Sequence, residues 1–107
     1  MPANKLDKFT SELNQKYNIN SIGYEIDITN EKSLKNSTKL IMEKFGKIDC
    51  LVNNAANNPK VENNQEKFSR LENFELETWN NDIAVGLTGA FLCAKHYGLA
   101  ISKNSKG

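Results

Sequence analysis

Histidine, tryptophan and arginine each occur once in these 107 residues, and proline and cysteine twice. The two cysteines, Cys50 and Cys93, form no CxxC pair and stand near no histidine cluster, so the spacing of a metal site is missing. Their contexts, "DCLV" and "FLCAK", are apolar and predict small buried core residues. Charge of one sign is not in excess. Fourteen basic and 13 acidic side chains are well mixed and leave a net +1. No face reads as a polyphosphate footprint, which argues against a nucleic-acid partner. The start, "MPANKLDKFTSEL", is charged and amphipathic rather than signal-like. No run of apolar residues approaches the ~20 of a membrane span. These absences together predict a soluble, cytoplasmic protein with reduced thiols and no membrane partner.

What is present reads as alternating elements. Residues 4–17 set Leu6, Phe9, Leu13 and Tyr17 on one helical stripe. "SIGYEIDI" then alternates, with Ile22, Tyr24, Ile26 and Ile28 on one face, which predicts a strand. Thr29 or Asn30 caps a second helix, Glu31 suits its first turn, and Leu34, Thr38, Ile41 and Phe45 follow to a stop at Gly46. "KIDCLVNNA" is a short aliphatic run without alternation, as in a parallel strand covered on both faces. Residues 57–75 are polar, contain Pro59 and predict a long loop with one helical turn. The last element, 76–102, carries Trp79, Ile83, Leu87, Ala90, Phe91, Ala94 and Ile101. Gly86, Gly89 and Gly98 interrupt it at up to ~1 kcal/mol each against alanine, so close packing is expected to compensate. The order helix-strand-helix-strand-loop-helix predicts an α/β fold, part of a doubly wound parallel sheet of Rossmann type, with residues 1–107 inside a single domain.

In such sheets ligands bind beyond the carboxyl ends of the strands. Asp27 ends the first strand and Asn53-Asn54 the second, so both fall on one edge. An amide supplies donor and acceptor together, and Ala55 and Ala56 leave room for a flat or sugar-like group. The bland alternative is a turn that satisfies its own backbone. His96, near the end of the last helix, reads as a satisfied or solvated imidazolium favoured by the helix dipole rather than a general base. Asp82 and Glu77 read as first-turn helix carboxylates, and Lys95 and Lys103 as solvated.

"DIT", the strand ending "LVNNAA" and "WNNDIAVGLTGAFLCAKHYG" together resemble the short-chain dehydrogenase/reductase family over almost the whole chain. The resemblance implies NAD or NADP as cofactor and hydride transfer to or from a carbonyl or secondary alcohol. It implies that Asp27 and Ile28 contact the adenine ring, that Asn54, Ala55 and Ala56 lie along the ribose, and that Asn53 ties central strands together. Ala56 stands where the family usually has glycine. Gly86 stands where it has the asparagine that kinks the helix and holds a relay water; glycine supplies the kink but not the amide.

The family's glycine-rich pyrophosphate turn has no counterpart, since glycines fall at 23, 46, 86, 89, 98 and 107. None of Tyr17, Tyr24 and Tyr97 is followed four residues on by lysine, so the Tyr-x-x-x-Lys pair is absent and no catalytic residue is assigned. The acidic residue selecting NAD over NADP would fall near Met1. The resemblance therefore implies an internal segment of an oxidoreductase, inactive alone, whose full-length form is a homodimer or tetramer acting on a small molecule, sugar-related by analogy. The alternatives are a non-catalytic dinucleotide-sensing or interaction protein on the same fold, suggested by Gly86, and an unrelated α/β module.

Overall fold

The computed structural model of the chain describes residues 3–57 and 70–104. Helix α1 spans Ala3–Tyr17 and ends where Asn18 takes a left-handed φ of 51°, a conformation asparagine tolerates better than most residues. Helix α2 spans Glu31–Phe45. The Asn30 side chain caps it by accepting the Ser33 N–H at 3.3 Å. Gly46 closes it at φ 81°, its N–H donating to the Met42 carbonyl at 2.8 Å. Cap and stop are those the sequence predicts. A 3-10 turn, Leu71–Asn73, supplies the helical turn expected in the long loop; residues 58–69, with Pro59, lie outside the described residues. The last element runs as α3 (Leu76–Ile83), a π-helical segment (Ala84–Gly89) and α4 (Ala90–Ser102).

Neither expected strand is present among the described residues: 21–28 and 47–55 run without a ladder. A strand exists only through its neighbour's backbone groups. In place of the expected sheet, the described residues show two extended segments without a ladder between them. Side chains serve the backbone in its place. The Asn14 amide accepts the Ser21 N–H at 2.6 Å and donates to the Ser21 carbonyl at 3.1 Å. Asn104 donates to the Ile48 carbonyl at 2.7 Å. The period-two pattern still shows in burial, with Tyr24, Ile26 and Ile28 half-buried and Glu25 and Asp27 exposed.

The core sits between α2 and α4. Leu34 is fully buried against Leu92, Cys93 and Tyr97. Ile26 and Ile28 from the first extended segment, and Ile48 and Leu51 from the second, pack on the same cluster. The Ser37 and Tyr97 hydroxyls pair inside it at 2.5 Å. Cys93 is buried as expected, and burial pushes its thiol pKa up. Cys50 is exposed, contrary to the reading of its aliphatic context, because a segment without lateral neighbours has an open face.

The last helix also turns differently from its sequence reading. Leu92, Cys93, Tyr97 and Ala100 are buried, whereas Trp79, Leu87 and Phe91 remain more than half exposed. The apolar stripe chosen from sequence is thus a second face, uncovered among the described residues. Leu76–Ser102 is also long and apolar enough to cross a membrane by length and composition, although charged and polar residues interrupt it. One face of it packs against α2, and its larger apolar side chains stay exposed.

Of its three glycines only Gly89 is required by packing. A Cβ there would stand 2.6 Å from Ile28 Cδ1, whereas Gly86 and Gly98 face open space. Gly86→Ala and Gly98→Ala are therefore expected to raise stability by up to ~1 kcal/mol each, read as a higher denaturation midpoint at unchanged m-value.

Candidate functional site

Asp27 closes the first extended segment in a tight turn. Its Oδ1 accepts the Thr29 N–H at 2.9 Å and the Thr29 hydroxyl at 2.6 Å. The Asn30 N–H returns to the Asp27 carbonyl at 3.1 Å. The Thr29 hydroxyl and then its N–H hold the Asp27 carboxyl pKa below its ordinary value, so at neutral pH the group is an acceptor only. Its Oδ2 takes no hydrogen bond among the described residues and is free for a donor such as an exocyclic amine.

Ile28, next in the chain, drives its side chain against Gly89 at the end of the π-helical segment. One residue further on, the Ala90 carbonyl accepts from the Asn53 amide at a long 3.5 Å. Asn57 donates to Asp82 Oδ1 at 3.0 Å, just ahead of the π segment. The amides of "NNAANN" thus hold the second extended segment at both ends of the π segment. Between them Asn54, Ala55 and Ala56 are exposed, and the Asn54 amide has no partner among the described residues. Both tips reach one turn of one helix.

Two features of the sequence explain this meeting. Gly89 admits the Ile28 side chain, and the helix containing Gly86 takes a π-helical turn there. Segments of this kind recur at functional sites because they break the regular hydrogen-bond ladder.

Three sequence readings need correction. Asp82 is not a first-turn carboxylate but lies near the end of α3, where it accepts from Asn57; Glu77 does occupy the first turn. His96 is mid-helix rather than near the helix end, though it is satisfied as expected: its side chain is only 12% exposed, with Nε2 at 2.9 Å from Glu31 Oε1. Lys95 is not simply solvated, since its Nζ reaches the same oxygen at 3.0 Å. The pairing across 64 and 65 residues leaves no local signature. Lys95, then His96, hold the Glu31 carboxyl pKa below the ordinary glutamate range. With a depressed folded-state value, the contribution to stability is complete above the unfolded pKa of about 4.3 and fades as pH falls through the folded one. Glu31→Gln is accordingly expected to lower stability at neutral pH and to lose that deficit as the pH falls through the folded value, so that the two stability–pH curves converge in acid, checked by denaturation at a series of pH values.

A family profile described as Enoyl-(Acyl carrier protein) reductase matches residues 2–107. Short-chain dehydrogenase reductase 3a of Arabidopsis thaliana is 33% identical over 85 residues, covering 78% of this chain and 30% of that protein. The chain belongs to the short-chain dehydrogenase/reductase family. A probable NADP-dependent mannitol dehydrogenase of Yarrowia lipolytica is 28% identical over 94% of this chain and 34% of its own length. Among solved structures, an alcohol dehydrogenase from Thermococcus sibiricus, complexed with 5-hydroxy-NADP, superposes with a TM-score of 0.79 at 25% identity. That match covers 94% of this chain and 39% of the other. The chain thus spans about a third of the length of the curated relatives it matches. Structures of this family are Rossmann-type, so the helical layer and two extended segments seen here belong to that architecture.

The residues present fit one half of a dinucleotide. An ionised carboxylate with a free oxygen, an unpartnered amide and two exposed alanines suit an adenosine moiety. Nothing in the glycine spacing suits the pyrophosphate.

Proposed function

We propose that this chain supplies the adenosine-binding edge of a cytoplasmic NAD- or NADP-dependent oxidoreductase. The observation that carries the reading is the meeting of Ile28 and Asn53 at Gly89 and Ala90, which brings the Asp27 turn and the 54–56 span to one rim. There Asp27 Oδ2 and the Ile28 backbone would receive the adenine, and Asn54, Ala55 and Ala56 the ribose. When bound, the cofactor supplies the hydride chemistry; these residues bind and orient it.

The whole protein passes hydride between the cofactor and a carbonyl or secondary alcohol on a small molecule. A sugar-related substrate is supported by the likeness to a mannitol dehydrogenase. The uncovered stripe of Trp79, Leu87 and Phe91 supports pairing of two copies of the full-length protein through the last helix, as homodimer or tetramer. The 107-residue chain alone is inactive, lacking the pyrophosphate turn and the Tyr-x-x-x-Lys pair.

Calorimetric titration of this chain with NADH and NADPH tests the reading, and no measurable heat of binding is expected. The longer protein is expected to bind one of the two, and Asp27→Ala in it to weaken binding about tenfold, the worth of one hydrogen bond to a charged group. Tight binding by the short chain, or no effect of Asp27→Ala in the longer one, contradicts it. The non-catalytic alternative rests on Gly86. It gains support if the longer protein binds dinucleotide yet oxidises no alcohol.

A further inference from the structure

An open groove lies between α2 and α4. It holds about 330 Å³ and is lined by Lys35, Lys39 and Lys103, by His96, and by the apolar side chains of Met42 and Leu99. Among the described residues no carboxylate lines it. Glu31, the acid beside His96, is already engaged by Lys95 and His96 on one oxygen. From the Asn30 cap the groove begins about 8 Å and ends about 18 Å along the α2 axis, at 1.5 Å per residue. None of the groove's lining residues belongs to the proposed cofactor edge.

The placement of charge is not what composition alone dictates. The chain is nearly neutral, at +1, yet three lysines and the single histidine face one apolar trough. Lysine stems cover apolar surface while their ammonium groups reach the rim. The resulting form is an apolar trough edged by cations. Its volume equals about eleven waters' share of the liquid, at about 30 Å³ each, and sits at the small end of ligand-sized pockets. A body of roughly ten non-hydrogen atoms fills it; a folded domain or a nucleotide does not.

We propose that this groove binds a small anionic amphiphile, a molecule with one carboxylate or phosphate head and a short aliphatic body. The head sits among Lys35, Lys39 and Lys103, and the body lies along Met42 and Leu99. This reading is independent of the dinucleotide proposal, since neither residue set serves the other.

The sequence provides two isolated reporters, because His96 is the only histidine and Met42 the only methionine besides Met1. Proton NMR of the whole chain, titrated with octanoate, octyl phosphate and octanol, is the test. The expected result is a saturable shift of the His96 ring and Met42 methyl signals with one shared Kd for each anion, and no saturation with octanol. Equal affinity for the two anions assigns the head simply as an anion, and a tenfold preference assigns it as the preferred one. The exposed pair Lys39→Glu and Lys103→Glu is expected to weaken binding at least tenfold while the Met42 methyl stays at its native position. Four results overturn the proposal: octanol acting like octanoate, charge reversal without effect, a Met42 methyl at its random-coil position before ligand is added, or a tenfold preference for an acidic amphipathic peptide, which gives the groove to a protein partner.

Discussion

Leu34→Ala is expected to cost about 2–5 kcal/mol and to abolish a cooperative unfolding transition in this chain. Leu34 is the one large side chain with no exposed surface among the described residues, and it sits where α2, α4 and the extended segments meet. Truncating such a leucine removes its transfer free energy and leaves a cavity that the surroundings fill only in part, which gives the 2–5 kcal/mol range. A chain of this size has a stability on the order of 5–15 kcal/mol when its core is complete. Among the described residues the buried apolar set is Leu34, Leu92, Cys93, Tyr97 and Ala100, with large apolar side chains left at the surface. The loss is therefore comparable with the whole. Circular dichroism during a thermal melt reads it directly: a sigmoidal transition for the parent, a shallow slope for the variant.

Gly89→Ala is the second large effect and the more specific one. The added Cβ would meet Ile28 Cδ1 at 2.6 Å and Cγ1 at 2.9 Å, with the Ala84 carbonyl oxygen at 3.2 Å. The tip of an isoleucine can rotate, but a second side-chain carbon and a backbone oxygen crowd the same point. Overpacking of this kind costs about 1–3 kcal/mol. The expected consequence is ejection of Ile28 from its place and loss of the contact that sets the Asp27 turn on the helix. Shortening the neighbour relieves the clash, so Ile28→Ala and Gly89→Ala combined are expected to be less destabilised than the sum of the two single changes. A double-mutant cycle by chemical denaturation gives the coupling. Strict additivity would place Ile28 elsewhere.

The helices were legible because their signals are local. Asn30 and Gly46 mark the ends of α2 by capping chemistry contained within a few residues. The extended segments were legible only in part. Alternation predicts which side chains of 24–28 turn inward, and they do. A ladder depends on partners far away in sequence, and no residue of "SIGYEIDI" carries that information. The face of the last helix was misread for a related reason. Trp79, Leu87 and Phe91 are the more conspicuous apolar residues, but the small ones, Gly89, Cys93 and Ala100, permit close approach to Ile28 and α2.

At the site, sequence located the residues without their means of assembly. Asp27 and Asn54 were singled out as polar ends of aliphatic runs. That Ile28 and Asn53 dock on consecutive helix residues, and that Asn57 reaches Asp82, follows from the π segment. Its only sequence trace is a pair of glycines three apart. The Glu31 pairing with Lys95 and His96 left no trace at all, since helix α4 offers several polar residues and spacing does not choose among them.

The meeting of two distant loops on a single helical turn is most directly examined by nuclear Overhauser spectroscopy between the Ile28 δ-methyl and the Gly89 α-protons. A strong cross-peak, lost in Gly89→Ala, is the predicted outcome. An Ile28 methyl whose only neighbours are α1 or solvent would separate the Asp27 turn from the Asn54 span and leave no common rim for a cofactor.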